Sequence, residues 1–258
     1  TAVVEPSFYK TRLVPSFAWL VLRVMVRSTF ALVGIAIVTV LYSIAVMAHM
    51  LAFRDRAVFF LYARSWSRVL LRFAGIRVTL HGAHHLDPSQ RYVYVANHAS
   101  LFDIPVLLAT VPDNIRIMYK RELGSIPVFG WGLRLSPFIA IDRERSRDAA
   151  AQLDATIASM GSGASVVVFP EGTRSADGTL GPFRRGAFAL AARSGRSIVP
   201  IVLAGTASIM KAGSFRLRPG RVTCTILPAV VVTQPSTRAT EVQTLDDVRR
   251  SMESVLAP

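Results

Sequence analysis

Residues 29–53, TFALVGIAIVTVLYSIAVMAHMLAF, contain no Lys, Arg, Asp or Glu, and no other feature of the 258-residue chain restricts its fold as strongly. As a straight helix the run reaches about 37 Å, enough to cross the hydrocarbon of a bilayer. It is too long for a cleaved signal peptide and lacks a clear small-residue cleavage site. A fold containing this segment must bury it as a core helix or give it to lipid, and its length favours lipid. Lys10, Arg12, Arg23 and Arg27 precede the run, while Arg54, Arg56, Arg64, Arg68 and Arg72 follow it. With both flanks basic, a segment that enters and leaves through the same membrane face is expected beside the single spanning helix. The leader is thus one long helix or a two-helix hairpin, with Gly34 as the expected bend.

Composition agrees with a membrane partner. Mean hydropathy is +0.41, and Lys+Arg 30 against Asp+Glu 16 leaves a net charge of +14. Such an excess suits anionic headgroups, phosphorylated substrates or an acidic carrier protein. Nucleic acid is not expected, because the basic residues cluster beside apolar membrane sequence and not in a recognition module. Arg64, Arg68 and Arg72 recur at helical spacing among Trp66, Val69, Leu70 and Phe73, the pattern of an interfacial helix. Cys224 is the only cysteine, so no disulfide forms within the chain and a reducing compartment is permitted. No Cys/His spacing suits zinc; His81, His84 and His85 read as a strand exit.

Beyond the leader, short β-rich runs alternate with helical segments. This is the pattern of an α/β fold, a mostly parallel sheet flanked by helices. Strands are expected at 76–80, 91–96, 115–119, 138–141, 165–169, 198–203 and 222–227. Helices are expected at 104–110, 125–134, 146–160, 183–194 and 244–256. Residues 1–74 then form a membrane-anchoring helical segment and 75–258 one α/β domain.

Two loops at strand ends carry the chemistry. NHASLFD at 97–103 follows the strand YVYVA. Pro105 is comfortable only in a first helical turn, so the helix starts near Asp103 and leaves His98 in the loop before it. If that loop folds back, Asp103 holds one ring nitrogen of His98 and the other faces a substrate. Otherwise Asp103 is a simple N-cap. FPEGTRS at 169–175 follows VVVF, at a strand's carboxyl end, where ligands of open α/β sheets collect. Gly172 allows close backbone approach, and Thr173 and Arg174 suit a phosphate. Glu171 does not suit phosphate; it is expected to hold Arg174 or a backbone amide.

NHASLFD, FIAIDR (138–143), FPEGTRS and VPIVLAG (199–205), in this order, resemble the four blocks of the glycerolipid acyltransferases, and most of all the branch that acylates lysophosphatidate. The likeness runs from about 75 to 230. It implies His98 as general base and Asp103 as its partner, within the family's NHxxxxD signature, with no covalent intermediate. No serine sits on a GxSxG elbow, which agrees. It also implies that Glu171, Gly172, Thr173 and Arg174, with Arg143 and Lys120, bind the acceptor's phosphate, and that VPIVLAG is a buried strand shaping the acyl or thioester channel. Arg184 and Arg185 are further candidates for donor or acceptor phosphates. The implied reaction moves a fatty acyl chain from acyl-CoA or acyl carrier protein to the sn-2 hydroxyl of lysophosphatidate, giving phosphatidate, with no cofactor beyond that thioester. The implied setting is a membrane, in a bacterium the inner one, with the active site on the cytoplasmic side. Two other readings are another lysolipid acceptor and a non-catalytic basic membrane adaptor.

Overall fold

The apolar run folds as one straight element, α1 (Phe17–Phe53), 37 residues and about 55 Å long. In the computed structural model, residues 17–55, 58–141, 149–161 and 163–256 are described. The helix stops at Arg54, whose φ of 52° is left-handed, and the chain returns as α2 (Val58–Phe73), packed alongside. The leader is therefore a hairpin whose turn lies beyond the apolar run, and Gly34 is not its bend. Gly34 serves another purpose: a Cβ there would stand 2.3 Å from Cζ of Phe73, so the missing side chain lets the end of α2 reach α1.

Most of α1 is unpartnered. Val24–Phe53 has a mean hydropathy of 2.5, yet only 6% of its most apolar stretch is buried. Leu22, Phe30, Val33, Ile37 and Leu41 point outward. By length and composition the helix can cross a membrane. Its inner stripe nevertheless touches the rest of the protein at several heights. Ser28 meets Leu217, Ser43 lies opposite Gly132, and Val46 and Met50 join the main core. From Ser28 to Met50 this contact line is about 33 Å long.

The α/β body follows as β1 (Ile76–His81), β2 (Val93–Ala96), α3 (Asp103–Thr110), β3 (Ile115–Lys120), α4 (Phe129–Leu135), β4 (Ile139–Ile141) and α5 (Ala149–Met160), then β5 (Ser165–Val168), α6 (Gly186–Ser194), β6 (Ile198–Ala204), α7 (Thr206–Ile209), β7 (Gly220–Ile226) and α8 (Arg238–Leu256). The sheet runs β1-β7-β6-β2-β5-β3-β4. Every neighbouring pair is parallel except β6 with β7. β2, β5 and β6 are the apolar strands, and their near-complete burial is what a parallel sheet covered on both faces requires. One core cluster joins Val46, Phe59, Leu70 and Leu71 of the leader to Tyr94, Leu107 and Ile201 of the body, so the leader hairpin and the sheet share a core.

Element positions differ from expectation where local chemistry intervenes. The helix expected at 125–134 is instead a 3-10 stretch, Arg121–Ser125, followed by α4; Pro127 keeps Ile126 out of the α region. The first strand residues expected at 91–92 lie outside β2, where the Tyr92 N–H donates to Ser165 Oγ. Helix α6 starts at Gly186, after Pro182. Helix α8 begins six residues early, because Thr237 and Thr240 bond each other's backbone N–H groups in a capping box. The expected helix 146–160 is observed as α5 from Ala149, and 146–148 lie outside the described residues.

A Gly34→Val exchange tests the helix approach. Phe73 is half exposed and its ring can swing aside, so the cost should stay near the low end of overpacking, about 1 kcal/mol. Thermal unfolding in detergent should show a lowered midpoint for Gly34→Val, and adding Phe73→Ala should remove the difference; an unchanged midpoint for Gly34→Val alone refutes the close approach.

Candidate active site

The loop after β2 is fastened before it reaches α3. Asn97, buried, brackets the backbone of Leu203 on β6, donating from Nδ2 to its carbonyl at 3.0 Å and accepting its N–H at Oδ1 at 2.7 Å. Ser100 Oγ donates to the Met210 carbonyl at 2.8 Å. Between these anchors the chain doubles back, and α3 opens at Asp103 with Pro105 in its first turn, where a missing N–H costs nothing.

Asp103 does not cap the helix it begins. Its fully buried carboxylate turns back onto the loop, where Oδ2 accepts the N–H groups of Ala99 and Ser100, each at 2.8 Å. The same oxygen lies 2.7 Å from His98 Nδ1. An oxygen already accepting two amide protons faces a donor, so Nδ1 carries the ring's proton and Nε2 its lone pair. Nε2 has no partner among the described residues, and the imidazole remains 17% exposed. The ring stacks on Phe169, centroids 4.1 Å apart and planes 19° from parallel. Orientation, tautomer and tilt are thus set by separate contacts.

Phe169 opens the second loop, whose carboxylate is also turned inward. Glu171 accepts the His98 N–H at Oε1, 2.7 Å, and the Gly181 N–H at Oε2, 2.9 Å. It holds backbone amides, one of the two roles expected of it, and it does not hold Arg174. The Ser175 N–H donates to the His98 carbonyl at 2.7 Å, so the backbone of His98 is held on both sides by the FPEGTRS loop. Further along, Asp177 accepts from Thr179 and Ser175, and these bonds hold its carboxyl down at about 2. Arg249 of α8 reaches back to the Gly181 carbonyl at 2.7 Å, with its guanidinium over the Phe183 ring. A line of support therefore runs from α8 through Gly181 and Glu171 to His98.

Cations surround this loop. Arg174 is half-buried and meets no carboxylate among the described residues; Thr173 is exposed. Gly172 has φ +75°, and a Cβ there would stand 3.0 Å from Nε of Arg184, whose side chain lies across it. Arg184 also lines two open grooves of about 300 and 290 Å³, one shared with Thr173 and Ser175, the other with Phe169 and Gly172. Arg185 points away and pairs with Glu241 of α8 at 2.6 Å. Lys120 ends β3 at the same sheet edge, 44% exposed and 3.5 Å from Glu122, and lines neither groove. Arg143 lies outside the described residues. The strand in VPIVLAG is buried and lines none of these grooves; Leu203 within it serves as the anchor for Asn97.

Behind α3 lies an apolar cavity of about 130 Å³, lined by Ile104 and Leu108 of α3, Ser43 and Val46 of α1, and Gly132 and Leu133 of α4. Its size is close to that of an engineered cavity that takes one benzene.

The chain that carries this buried His–Asp pair is similar to known proteins in sequence and in fold. Residues 77–204 match the family described as Acyltransferase. The chain carries a domain of the acyltransferase family. It is 38% identical over 186 residues to 1-acyl-sn-glycerol-3-phosphate acyltransferase alpha of Mus musculus, covering 70% of this chain and 61% of that protein. It is 37% identical over 153 residues to the chloroplastic 1-acyl-sn-glycerol-3-phosphate acyltransferase BAT2 of Brassica napus, covering 59% of this chain and 44% of the other. The match thus spans less than two thirds of these relatives' own length. In fold, the chain is similar to the crystal structure of the 1-acyl-sn-glycerophosphate acyltransferase PlsC from Thermotoga maritima, with a TM-score of 0.73 and 24% identity over 92% of this chain and 99% of that one.

Sequence reasoning missed Phe169 as the surface beneath His98, and Gly181 and Arg249 as supports of Glu171. Only Phe169, first residue of its motif, left a local signal; Arg249 lies 78 positions from Glu171 and nothing in its own helix marks it.

Removing charge from Glu171 leaves two amides without an ionic acceptor. Glu171→Gln should lower stability by about 1–3 kcal/mol, and Arg249→Ala, which removes a partly exposed donor, by about 0.5–1.5 kcal/mol. Thermal unfolding in detergent measures both, and a greater loss for Arg249→Ala would overturn this order of support.

Proposed function

We propose that the protein transfers a fatty acyl chain from a thioester, acyl-CoA or acyl carrier protein, to the sn-2 hydroxyl of lysophosphatidate, giving phosphatidate. The observation that carries this reading is the 2.7 Å contact between His98 Nδ1 and a buried Asp103, with Nε2 unpartnered among the described residues and the ring partly exposed. Nε2 takes the proton of the acceptor hydroxyl as its oxygen attacks the thioester carbonyl. The tetrahedral species then expels the thiolate as the C–S bond breaks, and the imidazolium returns the proton to sulfur. Asp103 stabilises that imidazolium. Relatives named for 1-acyl-sn-glycerol-3-phosphate support the choice of acceptor.

The acceptor's phosphate is assigned first to Arg174, with Thr173 and Gly172, while Arg143 and Lys120 are added on the resemblance of their sequence blocks alone. Arg184 joins them because its guanidinium lies across Gly172. Glu171 acts on this site through the loop it fastens. The end of an acyl chain is assigned to the cavity behind α3, whose walls carry almost no polar atoms.

The protein resides in a membrane, through α1. The contact line from Ser28 to Met50 supports a hairpin embedded in one leaflet, because an upright crossing would draw Arg134 of α4 into hydrocarbon at a cost of several kcal/mol. Basic flanks on both sides of the apolar run support the cytoplasmic face.

His98→Ala should reduce acyl transfer by about 10²- to 10⁴-fold, while the loss of one donor to buried Asp103 should lower stability by only about 1–3 kcal/mol and leave the protein folded. Asp103→Asn keeps an acceptor oxygen at the Oδ2 position if its nitrogen occupies the place of Oδ1, so the tautomer persists and the loss should be smaller. Full turnover in His98→Ala refutes the general base and favours a non-catalytic adaptor. Arg174→Ala should raise the KM for lysophosphatidate by about tenfold, the loss of one charge-assisted contact of roughly 1.5 kcal/mol, with kcat little changed. An unaltered KM would favour an acceptor without phosphate, measurable by offering other lysolipids with labelled acyl-CoA and acyl carrier thioester.

A further inference from the structure

The segment 211–218, KAGSFRLR, joins α7 to β7 and has a surface that acyl transfer itself does not call for. Phe215 at its tip is 81% exposed, more than any other large apolar side chain among the described residues. Lys211, Arg216 and Arg218 are exposed around it. Nothing acidic occurs between Asp177 and Glu241 in the sequence, and none of the three cations meets a carboxylate among the described residues.

The segment is fixed in place. Leu217 is buried, its N–H donates to Ser28 Oγ at 3.2 Å, and its carbonyl lies 3.3 Å from the same hydroxyl. The Arg218 N–H donates to the Ile209 carbonyl at 2.9 Å, and the Ser214 N–H to that of Lys211 at 3.0 Å. Ser28 sits near the start of the apolar stretch of α1 at Val24, next to an exposed Arg27 and two residues before the outward-facing Phe30. An exposed phenylalanine and four exposed cations are therefore held beside the apolar helix.

We propose that segment 211–218 is a second membrane contact, with Phe215 in the headgroup–acyl boundary and Lys211, Arg216, Arg218 and Arg27 binding the phosphates of anionic lipids. An apolar anchor ringed by cations is the chemistry of a charged bilayer surface, where each Lys or Arg is drawn to anionic headgroups. The inference rests on the membrane residence of α1 and deepens it. It also ties lipid contact to the candidate site: Met210, at the root of the segment, accepts the Ser100 hydroxyl, and the Ser100 N–H is held by Asp103 Oδ2. Seating the segment on the membrane positions the loop that carries His98.

The test uses the full chain in vesicles of equal parts phosphatidylglycerol and phosphatidylcholine, with one environment-sensitive fluorophore at a time on Phe215→Cys, on Val33→Cys in α1, or on Val231→Cys at the opposite end of the sheet. Cys224 stays unlabelled, because burial pushes its thiol up to about 11. Quenchers carried about 5–10 Å below the lipid surface should reduce Phe215→Cys emission by about twofold or more and leave Val231→Cys unchanged. Omitting phosphatidylglycerol, or adding Lys211→Gln, Arg216→Gln and Arg218→Gln together, should diminish that quenching. Quenching of Val33→Cys without Phe215→Cys overturns the second contact and leaves α1 in the membrane; absence of both removes α1 from the membrane as well. Equal quenching in phosphatidylcholine alone overturns the assignment to anionic headgroups, and equal quenching of Val231→Cys overturns the assignment to this segment.

Discussion

Three N–H donors converge on Oδ2 of Asp103, and the arrangement around His98 depends on that convergence. A buried carboxylate oxygen without donors would be costly, so the loop Ala99–Phe102 must curl until two amides and one ring nitrogen reach it. The curl puts His98 beside Phe169 and within reach of Glu171. Glu171 repeats the same physics one loop away, since its two oxygens draw the backbone of His98 and of Gly181 together. Neither carboxylate needs to touch a substrate to decide where the imidazole sits.

The second constraint is the leader. Its outer face is apolar and unpartnered, while its inner stripe shares a core with the sheet. A helix able to cross a bilayer is thereby tied along its length to a body that carries charged side chains. Gly34 and Phe73 set how closely the hairpin closes, and Ser28 and Leu217 tie its other end to the strand-connecting segment. The site at the sheet's carboxyl edge thus has a fixed relation to whatever surface receives α1.

Much of this was legible in the residues themselves. Alternating apolar runs gave the strands within a few positions, because a strand buried on both faces has few other compositions open to it. NHASLFD and FPEGTRS marked their loops because Pro105 and Gly172 restrict the backbone locally. Differences arose where a side chain acted on distant backbone or a proline acted on its neighbour: Ser165 on Tyr92, Pro127 on Ile126, and the threonine pair that starts α8 early. Gly34 was read as a bend because glycine weakens a helix, whereas the ring it accommodates belongs to another element, 39 positions away.

By itself the sequence determined the apolar leader, the mostly parallel α/β class and the two polar loops, since each follows from spacing within a few residues. Only the tertiary structure decided that Asp103 turns back to His98 and does not cap its own helix, that Glu171 holds backbone amides and not Arg174, and that Arg184 lies across Gly172 while Arg185 pairs with α8. The physical reason is that a carboxylate or guanidinium has several partners of comparable strength within reach of its rotamers, and packing between elements far apart in the chain selects among them.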